Sequence, residues 1–539
     1  MRKSCIYNIH LLLFHMNSQA KQYSLLDPYL FSLLEASLLV VGAIVGAGIL
    51  RIPKDIIPFG IAGLMGWFVA AAIGLLLVYI FAHMAIEHTE VGLTAYASKN
   101  FDDLKNVKES RAVAITHWLG LVMGAALVLI TFAEYSYVLL GLVNYPIVAK
   151  FTFSCSMLCA LYLLNVWTSK GSLHFTNALT VLKLSLFIVI IVFSLPHWSY
   201  FKFSEILLHK HNLQSFSEFF FSAEILKVFS VLPLTLIAFL GVEAVAAPLK
   251  HSKNASKIIF GGTIIGTLLA IIIFISSHIS VINLLPVDST ADAPIAEAAR
   301  LLFGTFGSKA VALIACLGCV GSVNALLSFA TYVLANHAQE SSISLLNNKY
   351  TNQFPKNVSL ITVVCIFIFL ICNYIFKTDV FLQQLAPCCF VYAYMMTVIS
   401  YIRVNNARKL VWAIALIGVS VLLYSCAPIS LVLIVLSASV LERDLFYPYV
   451  FISSCISLFV VQLIKLMVTN QVQDLIVNEK INMNFFGSIL IDIYFPLSII
   501  IRTVITVYFI KKLCKIIILR QSDIQVIPAN KKILVNATM

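Results

Sequence analysis

Gly42-Ala43-Ile44-Val45-Gly46-Ala47-Gly48-Ile49-Leu50 places three glycines within seven positions of the first long apolar segment. Glycine is among the poorest residues for a helix interior. The cluster lets the backbone open and expose N–H groups at the start of a half-helix, a setting that suits a carboxylate. The competing reading is a small-xxx-small contact, Gly42-xxx-Gly46, that lets two helices approach closely. Five segments later the run Phe239-Leu240-Gly241-Val242-Glu243 repeats the theme, with a glycine and an acid at mid-segment. In a bilayer an interrupted helix survives only where it lines a cavity or is buried in protein. Two interruptions at matching places point to the substrate site of a secondary transporter.

Of the residues, 60% are hydrophobic and 11% charged, whereas a soluble domain is about a quarter charged. Apolar stretches near 20 residues recur along the chain, each long enough for a hydrocarbon core of roughly 30 Å. The expected class is an all-α polytopic membrane protein. Short alternating β-barrel strands are excluded. Spans are expected near 30–50, 61–83, 112–143, 148–165, 173–195, 228–249, 258–282, 310–335, 358–376, 380–402, 409–425 and 428–441. Between them Ala293 to Arg300 reads as a short amphipathic helix near the membrane surface. The organisation expected is a cytoplasmic N-terminal segment 1–27, a core 28–444, and an extension 445–539. The extension holds candidate segments 446–468 and 485–510, the second interrupted by Asp492, Pro496 and Arg502, and then a basic tail.

The net charge of +12 is not a nucleic-acid signal, because Lys and Arg gather in every second connection. Lys99, Lys105, Lys108 and Arg111 mark one such loop; Lys250, Lys253 and Lys257 another; Arg403, Arg408 and Lys409 a third. That positive-inside alternation puts those loops and the N-terminus in the cytoplasm. Residues 1–27 lack the core and cleavage site of a signal peptide, and Met16 stands as a second candidate start. The twelve cysteines are scattered through apolar segments. Cys316 and Cys319 form a CxxC beside Gly318 and Gly321, which reads as helix packing rather than redox or metal chemistry.

Ionisable residues within spans are functional candidates by default, since each costs about 2.5–3.5 kcal/mol on insertion scales. Glu243 and Lys183 are the two mid-span cases. Glu243 either takes part in function or sits neutral and bonds a neighbouring helix. Lys183 must find a partner, lose its proton, or snorkel to an interface. Glu35 and Glu134 are weaker candidates, Glu134 being placed at an outer vestibule. A membrane-embedded enzyme, such as an acyl- or lipid-transferase, is the alternative class. It would need converging polar groups, but His83 and His88 flank Glu87 five residues apart, without the HExxH spacing. No phosphate-binding loop of ATP-driven pumps occurs.

Residues Gly42 to Leu50 resemble the first-helix signature of the amino acid–polyamine–organocation transporter superfamily, and Phe239 to Glu243 its sixth-helix signature. Gly318-Cys319-Val320-Gly321-Ser322, running to Ala335-Asn336-His337, is similar to its eighth helix. The likeness covers roughly residues 30 to 440 and is nearest the bacterial basic amino acid and polyamine permeases, including arginine/agmatine exchangers. It implies a five-plus-five inverted repeat with broken helices 1 and 6, about 12 core helices, and one or two further hydrophobic segments. The substrate would lie between the two breaks, among Ala43, Ile44, Gly46, Ala47, Gly48, Ile237, Phe239, Leu240, Gly241 and Leu326. The N–H groups of Ala47 and Gly48 would hold its carboxylate, and the carbonyls of Ile44, Ile237 and Leu240 its ammonium.

Ile237 and Leu326 stand where arginine exchangers carry tryptophans, so a stacking surface for guanidinium is missing and a smaller or more apolar amino acid fits better. His117 occupies a third-helix position often held by tyrosine, with gating or packing both open. Some proton-coupled members carry a lysine where Lys183 stands, in place of the cation of sodium-coupled relatives. Lys183, Glu243 and His117 are thus the implied coupling or gating residues. The expected partners are an amino acid or related amine, protons and the lipid bilayer, in a bacterial cell membrane, with oligomerisation open. No cofactor or metal is expected.

Overall fold

The computed structural model describes residues 28–46, 48–87, 96, 107–142, 146–167, 172–199, 225, 227–239, 255–285, 291–340, 356–376 and 379–404. Ala47, Leu240, Gly241 and Glu243 lie outside this set, as do the side chains of Glu35 and Ala43 and the segments expected beyond residue 404. Among the described residues there is no strand. The helices are α1 (Pro28–Ile44), α2 (Gly48–Ile56), α3 (Ile61–Glu87), α4 (Val107–Leu140), α5 (Ile147–Trp167) and α6 (Ser172–Ser194). They continue with α7 (Lys227–Leu236), α8 (Ala255–Leu284), α9 (Pro294–Glu340), α10 (Lys356–Phe376) and α11 (Asp379–Val404). Six of them, α3, α4, α5, α8, α9 and α10, are long and apolar enough to cross a membrane.

The outside of the bundle is apolar. Val148, Val181, Ile188, Val192, Ile272 and Ile375 are exposed, as befits side chains that meet lipid rather than water. With apolar groups on both sides of each helix, close packing and polar ties hold the interior together. Helix α4 is the centre: 94% of its apolar window is buried, against 17% for the peripheral α5. It packs on α9, α11, α5, α10 and α2. Buried hydroxyls return to their own helices, as Thr131 Oγ1 to Leu127 O at 3.1 Å and Thr397 Oγ1 to Ala393 O at 2.8 Å.

The glycines of the first segment mark a real interruption. α1 stops at Ile44, Gly46 N donates to Ile44 O at 2.7 Å, and α2 begins at Gly48. Among the described residues, a Cβ on Gly46 would meet nothing nearer than Ile44 O at 3.9 Å. A close small-residue contact joins α8 and α1. A Cβ on Gly262 of α8 would fall 2.5 Å from Ala36 Cβ, and one on Gly266 2.5 Å from Val40 Cβ. This pair lets α8 lie against α1.

Two helices differ from expectation in extent or setting. The first segment was expected to end at Leu50, but α2 runs to Ile56 and buries Arg51 and Pro53. The amphipathic stretch at Ala293 to Arg300 is helical, yet it packs inward, with Ile295, Ala296, Ala298 and Ala299 fully buried. It joins the long part of α9 through Gly304, whose φ of 70° and ψ of −165° make the kink.

Candidate functional site

The interruption between α1 and α2 is flanked by a second irregular turn. α7 loses α-helical geometry at Ile237, and Ile237–Phe239 continue as one 3₁₀ turn. α2 packs against both α7 and that turn, so the helix that follows the first interruption lies beside the second. The first N–H groups of α2 have no partner within their own helix, nor do the last carbonyls of α1. Backbone donors and acceptors therefore converge where the helix is open. The Phe239 ring turns away from this opening. It lies over Gly74, edge-on to Trp67 (centroids 6.3 Å) and Phe274 (5.3 Å), while Trp67 stacks on Phe274 at 5.1 Å. Phe239 thus offers the opening its backbone, and its ring braces the turn against α3 and α8.

Lys183 reaches the same place from α6. Its side chain is buried and its Nζ donates to Gly42 O at 3.4 Å, in the last turn of α1. That position carries the negative end of the α1 dipole, where a cation is stabilised. Room for the lysine comes from α9: a Cβ on Gly318 would sit 3.2 Å from Lys183 Cδ, and one on Gly321 3.3 Å from Leu179 Cβ. The glycines of the eighth-helix motif therefore admit the lysine stem.

His117 and Leu326 are not at this level. The His117 ring is fully buried between Phe329 and Phe390, edge-on to each at 5.4 Å. It precedes Glu134 by 17 residues on α4, a distance along the axis of about 25 Å. Leu326 is partly buried on α9, three residues before Phe329. These two share a neighbourhood toward the opposite end of the bundle from α2.

At the α2 end a polar network appears that sequence reasoning only touched through Glu134. Arg51 Nη1 donates to Glu134 Oε1 at 3.0 Å, both side chains buried, and Arg51 Nε lies 3.5 Å from Asp55 Oδ2. Gln383 Nε2 of α11 donates to Asp55 Oδ2 at 2.9 Å, and Tyr135 Oη donates to Leu50 O at 2.9 Å. Nearby, Lys54 and Lys150 both bind Asp292, the latter at 3.2 Å. Burial alone would raise the Asp292 carboxyl, but its hydrogen bonds to the two lysines, with their charges, outweigh that and hold it below the usual carboxylate range. Arg51 was missed because it directly follows the apolar run and reads as a flank. The available signal was a run of three charges, Arg51, Lys54 and Asp55, within five residues of that run.

A further buried cluster joins α5 and α9: Asn165 Nδ2 donates to Asn324 Oδ1 at 2.7 Å, and Ser328 Oγ to Asn165 Oδ1 at 3.0 Å. It ties the two helices together as interhelical glue. Cys316 and Cys319 are buried free thiols, with Cys316 Sγ 3.5 Å from Ser136 Oγ. Among the described residues no three of His, Cys, Asp and Glu gather as a metal site.

The family model described as amino acid permease matches residues 31–491, about fifty residues past the end of the residue-level likeness. The arginine/ornithine antiporter of Pseudomonas aeruginosa is 24% identical over 347 residues, covering 62% of this chain and 69% of that one.

Proposed function

The chain belongs to the amino acid permease family, and from that premise we propose that it is a secondary transporter moving an amino acid or related amine across the cell membrane. Family and apolar helices together make it a multi-pass membrane protein, and the family supports a transporter over an enzyme. The finer architecture proposed is the five-plus-five inverted repeat of about 12 core helices, with α1 and α2 as the inner and outer parts of helix 1 and α7 as the outer part of helix 6. The positive-inside pattern sets the N-terminus and the far end of α4 in the cytoplasm, and the α2 end outside.

The observation that carries the reading is the opening between Ile44 and Gly48 with a buried ammonium at its edge. The substrate carboxylate is held by N–H groups at the start of α2, and its ammonium by carbonyls at Ile44, Ile237 and Leu240. These contacts recognise the amino acid backbone whatever the side chain. Lys183, at 3.4 Å from Gly42 O, supplies a fixed cation at the opening. Removing its proton replaces a charge-assisted hydrogen bond to the Gly42 carbonyl with a weaker neutral one and loosens the hold on α1, which links substrate movement to a proton. His117 and Glu243 are proposed gating positions, His117 in the cytoplasmic half where it is wedged between α9 and α11. Arginine and ornithine are what the relative's name records, and amino acid exchange is the second mode proposed on that basis.

Uptake of a labelled amino acid panel into proteoliposomes tests this. Uptake driven by an inward proton gradient supports symport, and uptake that needs unlabelled substrate inside supports exchange. Absence of saturable uptake for every amino acid and polyamine, by protein that elutes as a single folded species, overturns the transport reading.

A further inference from the structure

Glu134 is under-bonded for a buried carboxylate. A guanidinium commonly meets a carboxylate through two parallel hydrogen bonds. Arg51 instead divides itself: Nη1 goes to Glu134 Oε1, and Nε faces Asp55. Glu134 Oε2 is left buried with no hydrogen-bond partner among the described residues. Asp55 by contrast has a second donor in Gln383. The hydroxyls of the next two residues are engaged elsewhere: Tyr135 Oη on Leu50 O, and Ser136 Oγ on Phe132 O at 2.7 Å. The neighbouring lysines, Lys54 and Lys150, are both committed to Asp292. What is missing at Glu134 is a donor, and at a carboxylate the best donor is a cation.

The position of the group is as telling as its chemistry. Arg51 stands three residues after Gly48, so its backbone lies only about 4–5 Å beyond the start of α2. Tyr135, next to Glu134, is tied to the carbonyl of Leu50. A substrate with its carboxylate on the first N–H groups of α2 and its side chain directed along α2 brings a terminal charge to Glu134. The ammonium of ornithine stands four bonds from the α-carbon, a reach of roughly one helical turn, ~5 Å.

We propose that Glu134 is the docking carboxylate for the cationic side chain of the substrate, and that Arg51 fills that place in this structure. The inference rests on the transport reading and narrows it to amino acids with an ammonium or guanidinium side chain. It also resolves the difficulty at Ile237 and Leu326, which offer such a side chain no aromatic face. Recognition passes from stacking to charge, and from the sixth and eighth helices to the third. Entry of the substrate cation displaces Arg51 from Glu134 and leaves it to Asp55, so that no charge is stranded at any stage.

The test compares arginine with citrulline, its near-isostere without the charge, in proteoliposomes containing the full chain. The wild-type protein is expected to favour arginine in kcat/KM by at least about tenfold. Glu134→Gln, which keeps the shape, is expected to reduce that preference to about twofold or less, and Glu134→Asp to keep most of it. Arg51→Met removes the resident cation and is expected to strengthen the preference. Equal loss of both substrates in monodisperse Glu134→Gln protein makes the pair merely structural and overturns the proposal, as does an unchanged preference. A wild-type protein that takes only uncharged amino acids also overturns it, while leaving the transport reading intact. No uptake of any amino acid removes both.

Discussion

A single buried lysine and the glycine opposite it carry the residue-scale argument. Lys183 was visible in the sequence because a cation in an unbroken apolar run demands an explanation. Its partner, the Gly42 carbonyl 141 residues away, was supplied only by folding. Lys183→Ala is expected to lower proton-driven uptake by tenfold or more, as for loss of a group that acts in the coupled step. Exchange of labelled for unlabelled substrate, which runs down no proton gradient, distinguishes lost coupling from lost binding. Gly318→Val probes the same contact without touching the ammonium. Its side chain would enter where Cδ, Cγ and Cβ of Lys183 lie within 3.5 Å, so the lysine is pushed off Gly42 and uptake is expected to fall similarly. Arg51 shows why other site residues were illegible. Charge at the edge of an apolar segment ordinarily marks the membrane boundary, and only the buried Glu134, 83 residues on, turns that edge into an interior.

At the scale of elements, apolar length and glycine placement were good guides, because both follow from local chemistry. Most helix bounds agree with the apolar segments to within about five residues, the exceptions being α2, which runs on to Ile56, and α9, which is continuous from Pro294; the first break falls on the quoted glycines. The inward packing of Ala293 to Ala299 was not legible, since a membrane surface and a protein surface accept the same amphipathic pattern. That stretch leaves its neighbour at Gly304, where φ is 70° and a Cβ would touch nothing within 4 Å among the described residues. Gly304→Ala therefore isolates backbone strain, and is expected to cost about 1–3 kcal/mol, read as a lower unfolding temperature in detergent. Gly266→Leu tests the opposite situation. Ser37 O and Val40 Cβ stand 2.6 and 2.5 Å from the new Cβ, and backbone cannot be moved aside like a side-chain tip. Separation of α8 from α1 is expected to cost about 1–3 kcal/mol or more, with loss of monodisperse protein as the visible result.

For the molecule as a whole, the central place of α4 is a product of topology: its composition resembles that of the peripheral helices, and no periodicity announces which span the others surround. The short helix α2 is the other global feature. Arg51, Lys54 and Asp55 tie it to Glu134 on α4, Asp292 before α9, and Gln383 on α11. One of these ties has a defined response to acid. The Asp292 carboxyl is held below its ordinary value of 3.8, so its stabilisation is complete above that value and fades as pH falls through the lower folded one. The difference in unfolding temperature between wild type and Asp292→Asn is therefore expected to be constant from pH 8 to 5 and to disappear in stronger acid. A difference that instead changes near neutrality would assign the response to another group. The three ties also bear on time. Nine residues fastened to three separate bodies cannot tilt by surrendering one bond after another, because each remaining bond still fixes the helix. Release is concerted, and concerted release of charged contacts carries a large activation enthalpy. The flux through this protein should then fall far more steeply on cooling than diffusion through an open pore, and cutting any one tie should flatten that slope.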